Sequence, residues 1–215
     1  MSAMRQSFKI DGRALPVLAL ALSLLPGCIT EPDTVTADAT NAIITVVSMR
    51  GQAGEADGFA EAAVDLFSDV CFGTPGACSV FNDNAIVTMR GFIKDRTQAD
   101  SEINTVTFER YRVTYVRADG RNVAGVDVPY PFDGAANFSV PLDGADVDRG
   151  FIVVRHQAKV ETPLRELQGS TNFAIISTIA RIDFFGHDAA GRAISATGYL
   201  NITFADFANP APATP

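Results

Sequence analysis

From Ile194 to Phe204 apolar and polar residues alternate without a break. Ile194, Ala196, Gly198, Leu200, Ile202 and Phe204 share one face, and Ser195, Thr197, Tyr199, Asn201 and Thr203 share the other. A period of two describes a β-strand with one buried face and excludes an amphipathic helix, whose apolar positions recur every three or four residues. Upstream, Phe173 to Phe185 places Ala174, Ile176, Thr178, Ala180, Ile182 and Phe184 on one side. Its other side, Ile175, Ser177, Ile179, Arg181, Asp183 and Phe185, is half apolar, which predicts a central strand with a partly covered outer face. The intervening Gly186 to Arg192 contains Asp and Gly, residues that tolerate the backbone of a reversal. Residues 172–207 therefore predict a long hairpin as the spine of a sheet.

The rest of the chain repeats short strands between turns. Ala42 to Met49 is β-branched and predicts the first strand, and Arg50 to Gly58, with three Gly, a loop. Phe59 to Val70 fits either period, and we read a strand over Val64–Cys71. Asn84–Lys94 and Thr105–Arg117 predict strands, the latter with Tyr111, Val113 and Tyr115 on one face and Arg110 and Arg112 on the other. A polar loop is expected over 95–104 and a turn at Asp119–Asn122. Val123–Pro131 reads as a Pro-broken edge strand. Another turn is expected at Asp133–Gly134, and strands at Phe138–Leu142 and Phe151–Val160. Thr162–Ser170 reads as a loop with one helical turn. About eight short strands separated by Asp-Gly and Asn turns predict an all-β protein, an antiparallel β-sandwich over residues 42–207. Ala208–Pro215 is a Pro/Ala tail expected to be disordered. No internal repeat is present.

The first 27 residues differ in kind. Arg5, Lys9 and Arg13 precede an apolar run from Ala14 to Leu25, too short for a spanning helix, which needs about 20 residues. A basic start and a short apolar run describe a secretory signal. Leu25-Pro26-Gly27-Cys28 follows. This stretch resembles the lipobox of bacterial lipoproteins, with Leu25, Gly27 and Cys28 matching and Pro26 departing from the usual small residue. The resemblance implies cleavage before Cys28 and acylation of that Cys, with Ile29 in place of Asp favouring the outer membrane. Two or three acyl chains anchor firmly where one does not. Residues 28–41, polar and with Pro32, read as the lipidated Cys and a flexible tether.

The chain has three Cys. With Cys28 carrying lipid, Cys71 and Cys78 remain, flanking a Gly/Pro turn. In an oxidising compartment they predict a disulfide that staples a hairpin-like loop. Their spacing is not that of a redox C-x-x-C motif, and no His cluster suggests zinc.

The sequence offers little catalytic chemistry. It has two His. His156 falls in phase with Ile152, Val154 and Ala158 on an expected strand, and His187 lies in the hairpin turn. No G-x-S-x-G, phosphate loop or H-E-x-x-H occurs. Asp143, Asp146 and Asp148 place three carboxylates in six residues, a weak calcium candidate lacking the EF-hand spacing, and a solvated acidic turn is the plainer reading. No cofactor is expected. The net charge of −8 becomes more negative once the basic leader is removed. That argues against nucleic acid as a partner, which needs basic patches.

The strand pattern also resembles an immunoglobulin-like or fibronectin-like sandwich, without the Cys…Trp…Cys signature of antibody domains. Such domains mostly bind or support, an analogy at fold level. The expected function is a lipid-anchored, non-enzymatic binding or structural module of the bacterial envelope, its partner an unidentified envelope protein or glycan. The expected face is Arg110, Arg112, Tyr130, Asp119 and Asn122. A carbohydrate-binding module or adhesin is the alternative, with Tyr111, Tyr115, Tyr130 or Tyr199 to stack on sugar, although the chain has no Trp. A hydrolase on a β-scaffold is disfavoured, because no nucleophile–base set is visible.

Overall fold

A computed structural model describes residues 40–74, 77–95, 104–169 and 174–207. The expected leader (1–27), the expected lipidation site Cys28, most of the stretch expected to be a tether and the expected 208–215 tail lie outside the described residues, as does most of the loop expected over 95–104.

The spine hairpin is present. β11 (Ile176–Asp188) pairs antiparallel with β12 (Ala193–Ala205), Ile176 opposite Phe204 and Ile182 opposite Gly198. Burial alternates as the sequence dictates: Ile176, Thr178, Ala180, Ile182 and Phe184 point inward from β11, and Ala196, Leu200, Ile202 and Phe204 from β12. The strand continues through the expected start of the turn. Asp188 closes the reversal by accepting hydrogen bonds from the Ala190 and Arg192 N–H groups.

Around this hairpin assembles a five-stranded sheet. β8 (Thr105–Val116) pairs with β11, β9 (Phe132–Pro141) forms one edge beyond β8, and β4 (Asp65–Asp69) forms the other edge beside β12. The β4–β12 pair is parallel, a departure from the all-antiparallel expectation. A second sheet of three strands, β1 (Ala42–Gln52), β7 (Asp83–Ile93) and β10 (Asp143–Val154), pairs in the order β1-β7-β10. These eight strands make an all-β, sandwich-like body. Their inward faces form one apolar cluster, with Met49, Val87 and Met89 of one sheet joining Phe108, Leu200 and Phe204 of the other. Gly198 is required where the sheets approach: a Cβ there would lie 2.7 Å from the Met49 methyl.

Short ribbons fill the gaps. β2 (Gly54–Glu55) pairs with β3 (Gly58–Phe59) in the stretch expected to be a plain loop. β5 (Phe72–Thr74) pairs with β6 (Ala77–Ser79), closed by the Cys71–Cys78 disulfide as expected.

Three expectations are corrected. Val123–Pro131 is not a strand but a turn-rich connection with an isolated Ala124–Val128 bridge. Asp133–Gly134 is not a turn: both lie in β9, where Gly134 faces the Tyr111 ring and a Cβ would come within 2.3 Å of its Cζ. The strand expected over Phe151–Val160 stops at Val154. It gives way to one helical turn, α1 (His156–Lys159), so His156 is not in phase with the core. A 3-10 turn at Leu164–Leu167 matches the expected helical turn.

Candidate functional site

Side chains from neighbouring segments fasten the end of β10 and the residues after it. The Tyr111 hydroxyl donates to the Ile152 carbonyl at 2.9 Å, and the Tyr115 hydroxyl to the Val153 carbonyl at 2.7 Å. Three residues on, the His156 N–H donates to Asn82 Oδ1 at 2.7 Å. Lys159 Nζ then donates to Asp83 Oδ1 at 2.9 Å, with both side chains fully buried. Arg155 sits among these attachments, and its backbone is therefore fixed while its side chain is exposed.

Beside Arg155 the two sheets leave a cleft of about 350 Å³. Its walls come from the start of β9, Phe132 to Ala135, and the end of β10, Gly150 to Ile152, with Tyr111 of β8 beneath. β9 and β10 are edge strands of their respective sheets, so the cleft opens between two edges. Tyr111 packs edge-on against Phe151, centroids 5.0 Å apart, and against Phe132 at 6.2 Å. Gly150 leaves room, since a Cβ there meets nothing within 4 Å. The Arg155 guanidinium lies over the Phe132 ring, 4.2 Å from its centroid, and has no carboxylate partner among the described residues. Burial pushes the Tyr111 and Tyr115 phenols upward, so both are neutral donors that hold β10.

Behind the cleft, Asp83 is a hub. Its Oδ1 accepts from Lys159 and from the Gly54 N–H at 2.8 Å, and its Oδ2 accepts from the Ser68 hydroxyl. Burial raises its pKa against the opposing pull of Lys159 and the N–H and O–H donors. Perturbed carboxylates are frequent at reactive sites. Here the carboxylate does not line the cleft, and both of its oxygens are engaged.

The residues expected to form an interaction face divide into two sets. Arg110 and Arg112 lie on the outer face of the five-stranded sheet. Arg112 pairs with Asp133 at 2.9 Å, as expected of a cross-strand partner, and Arg110 stacks on Phe185 at 3.9 Å. Asp119 and Asn122 sit in the connection after β8. Arg117 and Arg121 hold the Asp119 carboxyl well below its usual range, and Asn122 accepts from the Arg117 N–H. Tyr130 is half exposed, its ring against Gly125.

The acidic stretch is a strand rather than a turn. Asp146 is gripped by Arg90 at 2.7 Å, Asp148 by Arg50 at 3.2 Å and by the Thr88 hydroxyl at 2.6 Å, and Asp143 accepts from the Ala145 N–H. Each carboxylate thus turns to its own partner, and no group of three metal-ligating side chains converges among the described residues.

The tyrosines do not form a row for sugar stacking. Tyr111 and Tyr115 are buried, whereas Tyr130 and Tyr199 are exposed on separate elements. The His156 ring faces Asn82, and the His187 ring reaches Glu109 Oε1 at 3.2 Å from the end of β11, not from within the turn.

The sequence reading missed the cleft. The sequence places Tyr111 on one face with Val113 and Tyr115 but does not turn that face inward, and Phe132, Phe151 and Arg155 lie far apart in sequence or in a segment assigned to the wrong element. One signal was available: Gly134 and Gly150, each within a strand, mark places where another group comes close or space is left open. No protein-family model matches the chain, and no curated protein matches it in sequence.

Proposed function

We propose that this chain is a lipid-anchored, non-enzymatic binding module of the bacterial cell envelope that engages its ligand at the Tyr111–Phe132–Phe151–Arg155 cleft. The observation carrying the reading is a small aromatic cleft beside a guanidinium that has no carboxylate partner among the described residues. Binding sites combine apolar walls with a few placed polar groups in this way. The anchor reading rests on the Leu25-Pro26-Gly27-Cys28 motif. The Cys71–Cys78 disulfide supports it, because such bonds persist in oxidising compartments. The likeness to immunoglobulin-like modules favours binding over turnover. In the described residues neither His has a hydroxyl or thiol as its hydrogen-bond partner, the arrangement a nucleophile–base pair would need.

Two variants test this. Cys28→Ser should leave the membrane fraction and lose acyl label. Gly150→Leu, which fills open space, should fold normally and lose capture of the envelope ligand. Membrane retention of acylated Cys28→Ser would overturn the anchor, and undiminished capture by Gly150→Leu would overturn the site.

A further inference from the structure

The cleft's chemistry narrows its ligand. Three ring walls, Tyr111, Phe132 and Phe151, favour an apolar body that fills the space between them. At about 350 Å³ the cleft lies at the small end of ligand sites, which run from roughly 300 to 1,000 Å³. A free inorganic anion would leave those walls wet, and a neutral hydrocarbon would leave the Arg155 charge unanswered. The guanidinium carries its five N–H donors in its own plane. Phe132 lies against the guanidinium carbon, and among the described residues no hydrogen bond or ion pair takes up these donors. The fork therefore remains free to hold two oxygens side by side, the geometry of a carboxylate. The backbone that carries it is set before any ligand arrives, because Ile152, Val153, His156 and Lys159 are all tied down around it.

Resting on the reading of this cleft as the binding site, we propose that it takes a small carboxylic acid with a flat apolar body. The carboxylate lies on Arg155 and the body lies among Tyr111, Phe132 and Phe151. Asp133, the acid lining the cleft, is already engaged by Arg112 and so does not cancel the Arg155 charge.

The test is a titration of the purified full chain, isotopically labelled, with 3-phenylpropionate, its uncharged counterpart 3-phenylpropanol, and acetate. The acid is expected to shift the Gly134 and Gly150 amides saturably. The alcohol should bind at least tenfold more weakly, and acetate should not saturate. Arg155→Gln should weaken the acid at least tenfold without changing the melting temperature, and Gly150→Leu should abolish binding. Equal affinity for acid and alcohol, or unchanged affinity in Arg155→Gln, would overturn the proposal. If no acid binds while Gly150→Leu still loses its envelope ligand, the ligand class fails and the site stands. If the acid binds but Gly150→Leu captures the envelope ligand normally, the ligand class holds and the functional reading fails.

Discussion

Lys159 Nζ and the Asp83 carboxylate meet at 2.9 Å in the interior, both without solvent contact, and join α1 to β7. With Ser68 and the Gly54 N–H on the same carboxylate, four separate segments depend on one side chain. Removing one member of such a pair leaves a buried charge alone, which costs about 3–5 kcal/mol. Asp83→Asn should lose about that much in denaturant unfolding.

Lys159→Met should behave differently. Burial already raises the Asp83 pKa, so without Lys159 the acid can shed its charge by taking a proton. A raised folded-state pKa means the native state holds the proton more tightly than the unfolded chain. The stability of Lys159→Met should be greatest below about pH 4 and fall as the pH rises through the raised value. Melting curves from pH 4 to pH 8 would show this, and a pH-independent deficit would contradict it.

Of two strand glycines flanking the cleft, one should be sensitive to an added Cβ and the other should not. Gly134→Ala forces a Cβ to within 2.3 Å of the Tyr111 ring, and overpacking of this kind costs about 1–3 kcal/mol. Gly150→Ala meets nothing within 4 Å and should stay within about 0.5 kcal/mol of wild type. Thermal unfolding of the two variants side by side measures the contrast.

Much of the fold was legible because burial on one face leaves a period of two. β11, β12, β7 and β8 all carry it. β10 was misread because only its last residues are buried, while Asp146 and Asp148 project outward to Arg90 and Arg50. A run of acids in an edge strand has the composition of a turn. Asp133-Gly134 misled for a related reason: Gly134 serves the approach of Tyr111 and not a reversal. The site was illegible because its members converge only when two edge strands from different sheets lie side by side. No local pattern marks Phe132 and Arg155 as partners.

The start of the described chain makes a pH prediction. The Thr40 hydroxyl donates to Asp188 Oδ2 at 2.9 Å, fixing the residues just before β1 to the hairpin turn. Burial pushes the Asp188 pKa up, but the Arg192 and Ala190 N–H groups, Thr40 and the Arg192 charge together bring it below the usual value. A lowered folded-state pKa stabilises above about pH 4, and that stabilisation is lost as the pH falls through the folded value. Asp188→Asn should therefore melt earlier than wild type at pH 7, and the gap should close on acidification toward pH 2. A gap that persists at pH 2 would show that the carboxylate's charge is not what holds the turn.

The cleft between β9 and β10 is the proposed binding site of this domain. The most direct measurement places a photo-crosslinking amino acid at Ala135, an exposed residue lining the cleft, and separately at Tyr199, on the outer face of β12. Irradiation of living cells should give an adduct from position 135 that disappears when Arg155→Gln is added, and none from position 199. An adduct from 199 alone, or one from 135 that survives Arg155→Gln undiminished, would show that the cleft is not where the domain binds.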